Sequence, residues 1–198
     1  MKNQFILFFI SMILLISCGK TYKLTEEDYK WMPYRGNETL VFKSNTGDKD
    51  TIFLFKKDTM VGYFHPQTSS DCYEVVSVFG KHIDPDLVNG QPHYLEKEFF
   101  SIKKTKDEYT EMKILLSAKN AVFYRLSSIE IDSLMKANTI TIKSQFHQYD
   151  DVYIINGEDY QGNLYERSNY ITKVYWSKSN GLIRYDKKDG VHWELAEK

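Results

Sequence analysis

Short runs of β-branched and aromatic residues, broken at close intervals by Gly, Asn and Asp, recur along this chain and point to antiparallel sheet. Residues 39–43 and 51–56 are two such runs. Between them lies Ser44-Asn45-Thr46-Gly47-Asp48-Lys49-Asp50, turn chemistry throughout, so the stretch predicts a hairpin. Further strands are expected over 60–64, 73–79, 94–103, 109–117, 121–126, 139–142, 152–155, 160–165, 170–176, 182–185 and 192–195. Residues 80–92 read as the longest irregular stretch, punctuated by Pro85, Asn89-Gly90 and Pro92. Asn156-Gly157 and Asp189-Gly190 predict two-residue hairpin turns, whose central positions need positive φ, and Ser179-Asn180-Gly181 marks another reversal. Roughly ten short strands spaced by about 8–12 residues imply a mainly β domain. The expected architecture is one or more antiparallel sheets forming a sandwich or a partly open barrel, with one or two short helices.

The helices have local signals. Thr25 precedes Glu26-Glu27-Asp28, an N-cap followed by acids where the helix dipole favours them, and Pro33 prevents a long continuation. Ser127-Ser128-Ile129-Glu130 has the spacing of a capping box and predicts a second helix running to about Lys136.

The N-terminus is of another kind. Lys2 supplies a positive charge, and residues 5–16 are apolar except for Ser11. Twelve helical residues reach about 18 Å, short of the ~30 Å hydrocarbon core of a bilayer. The layout is that of an export signal rather than a spanning helix. Leu15-Ile16-Ser17-Cys18 then resembles the lipobox of bacterial lipoproteins. That resemblance implies cleavage before Cys18, a diacylglycerol thioether on its sulfur, and further acylation of the freed amine. The expected organisation is a signal peptide over 1–17, a lipidated tether over 18–24 and a single β-rich domain over 25–198. Removing 17 residues from 198 leaves 181, enough for one domain with a real core.

With Cys18 acylated, Cys72 is the only other cysteine, so no internal disulfide can form. Cys72 is expected to be a small buried apolar residue. The signal holds only Lys2, so its loss takes the formal charge from −1 to −2. That balance argues against nucleic acid as a partner. The sequence carries no His-Glu-x-x-His, Gly-x-Ser-x-Gly, P-loop, dinucleotide turn or paired-cysteine spacing, and its five histidines (His65, His82, His93, His147, His192) are scattered. No catalytic residue, metal ligand or cofactor is therefore assigned. The acidic stretch around Asp84 and Asp86 fails as a calcium loop: Val88 stands where an oxygen ligand belongs and no Glu closes the loop.

Aromatic residues make up 15 % of the chain, and Tyr175, Trp176, Tyr185 and Trp193 gather in the C-terminal hairpins. They are the candidate ligand-binding residues if a stacking surface exists. Sheets favour aromatic residues in any case, so core packing is the expectation.

The segments 24–34, 39–45, 50–53, 173–178, 181–185 and 190–195, taken with the lipobox, resemble the small lipoproteins common in Bacteroidota. The resemblance covers both ends of the mature chain and is weak in the middle. It implies a cell-envelope location, with the outer membrane favoured, and a mostly β fold, but it brings no activity to carry over. Asp50-Thr51-Ile52, Asp58-Thr59-Met60 and Asp132-Ser133-Leu134 also resemble the short O-glycosylation pattern of exported proteins in those bacteria, which would place sugars on Thr51, Thr59 and Ser133. The functional expectation is a membrane-anchored envelope protein with a non-enzymatic binding or structural role, its partner an envelope protein, lipid or glycan. The alternatives are a glycan-binding module using the C-terminal aromatics and an envelope hydrolase whose catalytic groups meet only in the fold.

Overall fold

The structure is a computed structural model and describes residues 19–64, 70–83, 86–88, 91–93, 97–118, 121–123, 125 and 128–198. Cys18 lies outside the described residues, as do Asp84, Pro85, Asn89 and Gly90 of the stretch considered for calcium. The chain opens with β1 (Thr21–Tyr22) and α1 (Glu26–Tyr29), then β2 (Thr39–Ser44), β3 (Lys49–Tyr63) and β4 (Cys72–His82). A small ribbon, β5 (Asp86–Val88) and β6 (Gln91–His93), precedes β7 (Lys97–Lys104) and β8 (Thr110–Ile114). The short β9 (Ser117–Ala118), β10 (Ala121–Val122) and β11 (Ile129–Glu130) lead into α2 (Ile131–Met135). Then come β12 (Ile140–Lys143), β13 (Gln148–Asn156), β14 (Ile171–Ser177), β15 (Gly181–Lys187) and β16 (His192–Glu197).

One twelve-stranded sheet carries the fold, in the order β11-β8-β7-β4-β3-β2-β16-β15-β14-β13-β12, with β1 added in parallel against β4. All other pairings within it are antiparallel. Of the two expected architectures, the curled, partly open barrel is the one formed. Six steps across a flat sheet would separate β7 from β14 by about 29 Å. Instead the Phe100 ring of β7 stacks on Trp176 of β14 with centroids 4.3 Å apart, so the sheet rolls into half a barrel and closes over its own apolar face. Tyr34 wedges into this concavity, its ring edge-on to Phe99, Phe100 and Trp176. Its hydroxyl accepts the backbone N–H of Leu182 at 2.7 Å, tying the segment after α1 to β15. Trp31 and Met32 are buried in the same core.

The period of two that marks the strands in sequence is what fills this core. Leu40 and Phe42, Ile52 and Leu54, Val76 and Val78, Phe100 and Ile102, and Met112 and Ile114 form its first half. Val174, Trp176, Tyr185, Trp193 and Leu195 belong to the second half. The hairpins across 44–49, 105–109 and 188–191 form as expected. Gly190 takes φ +87° and Gly181 φ +86°, the left-handed backbone that their turn signals imply. Thr25 caps α1 in a full capping box, with Asp28 returning to the Thr25 backbone.

Several expectations are corrected. Residues 51–56 and 60–64 are not two strands but parts of the fifteen-residue β3, which bends at an irregularity between Leu54 and Lys56. The 80–92 region holds the end of β4 and the β5–β6 ribbon. Residues 160–165 do not form a strand. The Asp159 carboxylate accepts the backbone N–H groups of Leu164 and Tyr165, and a 3₁₀ turn (Leu164–Glu166) follows. Asn156-Gly157 is consequently no tight turn, because a thirteen-residue connection with this 3₁₀ turn joins Asn156 to Tyr170 and β14. Ser127, the capping residue expected for α2, lies outside the described residues; Ile129 and Glu130 form β11, and the helix starts only at Ile131 without a side-chain cap. The tether expected to extend to residue 24 is engaged with the sheet. Thr21 and Tyr22 pair with Cys72 and Tyr73, and the Leu24 N–H donates to Glu74.

Candidate functional site

The four aromatic residues proposed as a ligand platform are not one. Trp176 and Tyr185 are fully buried and Trp193 is 4 % exposed, while Tyr175 is half-buried with its hydroxyl donating to Asp186 at 2.7 Å. Two stacking faces side by side at the surface, which a glycan platform requires, are absent from this set. β14, β15 and β16 carry Trp176, Tyr185 and Trp193 on the apolar face of a curled sheet, and the curl encloses them, whereas Tyr175, next to Trp176, pairs with Arg184 and is not enclosed. Burial, together with the carboxylate it donates to, pushes the Tyr175 hydroxyl up to about 12.

A buried charged pair near Tyr185 was not expected. Asp50 was read as part of a turn, yet it heads the inward set Asp50, Ile52, Leu54 and is wholly buried. His82 ends the matching set Val76, Val78, Gly80, His82 on the neighbouring strand. Its Nδ1 lies 2.9 Å from Asp50 Oδ1, with the His82 side chain 13 % exposed. The alternation was the signal that could have found this pair, since both residues continue an apolar stripe. Asp50 faces Phe42 across β2–β3, and the Phe42 ring packs on Tyr185, which stacks on Trp193. Among the described residues, Asp50 Oδ2, the Tyr185 hydroxyl and Trp193 Nε1 are buried without a hydrogen-bond partner. Burial, with the charge of Asp50 added, holds the Tyr185 hydroxyl well above the ordinary range for a tyrosine. Asp50, paired with His82, and the Tyr185 and Trp193 donors are thus polar groups enclosed in the apolar core, where such groups are ordinarily satisfied by internal water.

A surface groove of about 1010 Å³ lies elsewhere, where the end of β16 meets the β12–β13 turn and the segment before β2. Arg35, Glu38, His147, Asn180, Glu197 and Lys198 line it in part. Its walls are built by backbone contacts. Burial would raise the Glu38 carboxyl, but the N–H groups of Arg35, Asn37 and Gly36 donate to it and hold it below the usual carboxylate range. The Lys198 ammonium is lowered by burial. It donates to the carbonyls of Pro33 (3.2 Å) and Asn180 (3.0 Å) and sits 4.9 Å over the Tyr34 ring. His147 lies 3.3 Å from the Ala196 carbonyl through Nε2. The groove therefore presents both signs of charge, a chemistry suited to a polar or zwitterionic ligand.

The remaining sequence candidates scatter. Thr51 is 8 % exposed near the start of β3 and pairs with Val41, so its hydroxyl is closed to a glycosyltransferase, whereas Thr59 and Ser133 are exposed. Cys72 is half-exposed rather than buried, because it starts β4 where the core has ended; its thiol donates to the Ser70 carbonyl at 3.4 Å. Among the described residues no grouping of three His, Cys, Asp or Glu side chains could hold a metal ion, and no helix is long and apolar enough to cross a membrane. No family model, no curated protein and no solved structure matches the chain.

Proposed function

We propose that this chain is a lipid-anchored protein of the bacterial cell envelope, held at the outer membrane through Cys18, whose β domain binds a polar ligand or partner without catalysing a reaction. The observation that carries the anchor is the apolar run 5–16 ending in Leu15-Ile16-Ser17-Cys18. Two or three acyl chains on one cysteine would hold a protein stably, since each buried methylene contributes about 0.8 kcal/mol and a single chain binds only reversibly. The start of the sheet at Thr21, three residues beyond Cys18, supports the division between a removed signal and a retained domain. The 1010 Å³ groove, with Arg35 and Lys198 set against Glu38 and Glu197, supports a binding role.

The test is processing in a bacterial host that acylates lipoproteins. The native chain is expected to lose residues 1–17, to carry acyl mass on its Cys18 peptide and to partition into the detergent phase. Cys18→Ala should persist as the uncleaved precursor, because no thiol is left to form the thioether. Cleavage of Cys18→Ala after Ser17 with normal membrane partition would refute the anchor.

A further inference from the structure

β4 is flanked by β3 on one side and β7 on the other only as far back as Val75, which pairs with Lys103. Before that point Cys72, Tyr73 and Glu74 continue against Tyr63, Gly62 and Val61 of β3, with only the two-residue β1 alongside. The end of the β3–β4 pair therefore runs on past its pairing with β7 as an arm, roughly 10 Å long at about 3.3 Å per residue, with the β7–β8 turn beside it through the Lys106–Asp71 ion pair.

The arm's side chains are those of a membrane interface. Met60, Val61 and Tyr63 are 45 %, 58 % and 57 % exposed. On one face the Phe64 ring packs against Tyr73 (4.8 Å) and Tyr22 (5.6 Å). Gly62 makes that packing fit, since a Cβ there would meet the Tyr73 ring at 2.6 Å. Lys20 Nζ lies 4.4 Å over Tyr22 and Lys103 Nζ 5.5 Å over Tyr73. Tyrosine rings with polar tips, and lysines whose stems lie along apolar surface, are the side chains that settle at the headgroup level of a bilayer. At the tip of the arm Lys20 pairs with Glu108 and Lys106 with Asp71, so local charge is balanced and anionic lipid is not required.

The chain direction says which surface covers the arm. Gly19 is seated on the Ser70 backbone, where a Cβ would lie 2.1 Å from the carbonyl carbon. Lys20 N–H donates to Asp71 and Lys20 C=O accepts from the Cys72 N–H, both at 2.9 Å. One peptide step, about 3.8 Å, separates Gly19 from Cys18. We infer that Met60, Val61, Tyr63 and the Tyr22–Phe64–Tyr73 cluster sit in the interface of the same bilayer that holds the Cys18 lipid, so that the domain docks arm-first. This inference rests on the lipid-anchor reading above.

The experiment uses acylated full-length protein carrying Cys72→Ser, in which the Cys18 thioether leaves an introduced cysteine as the free thiol. Val61→Cys, and separately Tyr63→Cys, is labelled with an environment-sensitive fluorophore; the control is Lys49→Cys at the far end of β3, about 40 Å away. Each protein is reconstituted in phosphatidylethanolamine–phosphatidylglycerol vesicles with and without nitroxide-labelled lipid. Labels at 61 and 63 should shift to the blue on reconstitution and be quenched by nitroxide lipid at least threefold more than the label at 49. Labels at both arm positions that stay in water, on protein whose Cys18 peptide carries acyl mass, overturn the docked arm and leave the anchor standing. Labels shielded from water yet untouched by nitroxide lipid also overturn it, and point to a second copy of the chain over the arm. A Cys18 peptide without acyl mass overturns the anchor reading, and this inference with it.

Discussion

Replacing Tyr34 by Phe keeps the ring that wedges the half-barrel and removes only its hydroxyl. The Leu182 N–H then loses its 2.7 Å acceptor in a place where both residues are essentially inaccessible to water. A stranded buried donor costs about 1–3 kcal/mol. A domain of this size shifts its melting temperature by about 2–4 °C per kcal/mol, so a central loss of ~2 kcal/mol lowers it by about 4–8 °C. Alkaline pH supplies a second reading from the same variant. Burial raises the Tyr34 hydroxyl well above its ordinary value. In the unfolded chain it ionises near pH 10, so its protonated burial stabilises the fold fully below that pH. As the pH rises above 10, the unfolded state releases this proton and the native fold does not, and stability falls by up to ~1.4 kcal/mol per pH unit. Phenylalanine cannot ionise, so the deficit of Tyr34→Phe should be full at pH 7 and narrow between pH 10 and 11.5. Urea unfolding followed by near-ultraviolet circular dichroism measures both. A variant as stable as the parent at pH 7, or a deficit that stays constant to pH 11.5, would show that the hydroxyl does not hold β15.

Trp193→Ala should cost ~3–5 kcal/mol in chemical unfolding, because the ring is core and not platform; a loss under ~1 kcal/mol would place the ring outside the core. Half-exposed Cys72 should react with a polar thiol reagent in the folded protein, and labelling that waits for global unfolding would show it closed to solvent. Burial would raise the carboxyl of Asp28, but donors from Thr110, Thr25 and Lys104 outweigh it, and Glu38 and Asp151 are lowered by similar donors. These groups stabilise the fold above the unfolded carboxylate value near pH 4 and lose that effect as the pH falls further. Asp28→Asn should therefore flatten the stability profile between pH 4 and pH 2, and an unchanged slope there would count against the Asp28 network.

The parts of the fold that were legible in the sequence are those set by neighbours along the chain. Alternation of Leu40 with Phe42 and of Val76 with Val78, and the turns at Gly181 and Gly190, depend on local pattern and backbone conformation. What was hidden depends on partners far away in sequence. The Ser127–Glu130 spacing suggests a helix start, but Ile129 and Glu130 pair with Met112 and Glu111 of β8 and the helix waits until Ile131, and Lys56 to Asp58 look like a break in β3 although the strand runs through them. Residues 160–165 are rich enough in aromatics to suggest a strand, yet one carboxylate, Asp159, takes their backbone donors. The Asp50–His82 pair was concealed differently: an acid beside a turn and an isolated histidine gain meaning only when β3 and β4 are laid side by side. Cys18 belongs to a third kind, since its signal is wholly linear and owes nothing to the fold.

A sheet that rolls up without closing leaves two free margins, and each margin is a potential template for another chain. In this molecule neither invites growth. One margin is β11, two residues long, after which α2 turns the backbone away from the line of the strand. The other is β12, four residues with an irregularity between Ile140 and Ile142 and a lysine, Lys143, at its end. Short, bent and charged margins give an incoming strand few consecutive donors and acceptors to register against. The seam can thus stay open while denying neighbouring copies the straight rail on which fibrils lengthen.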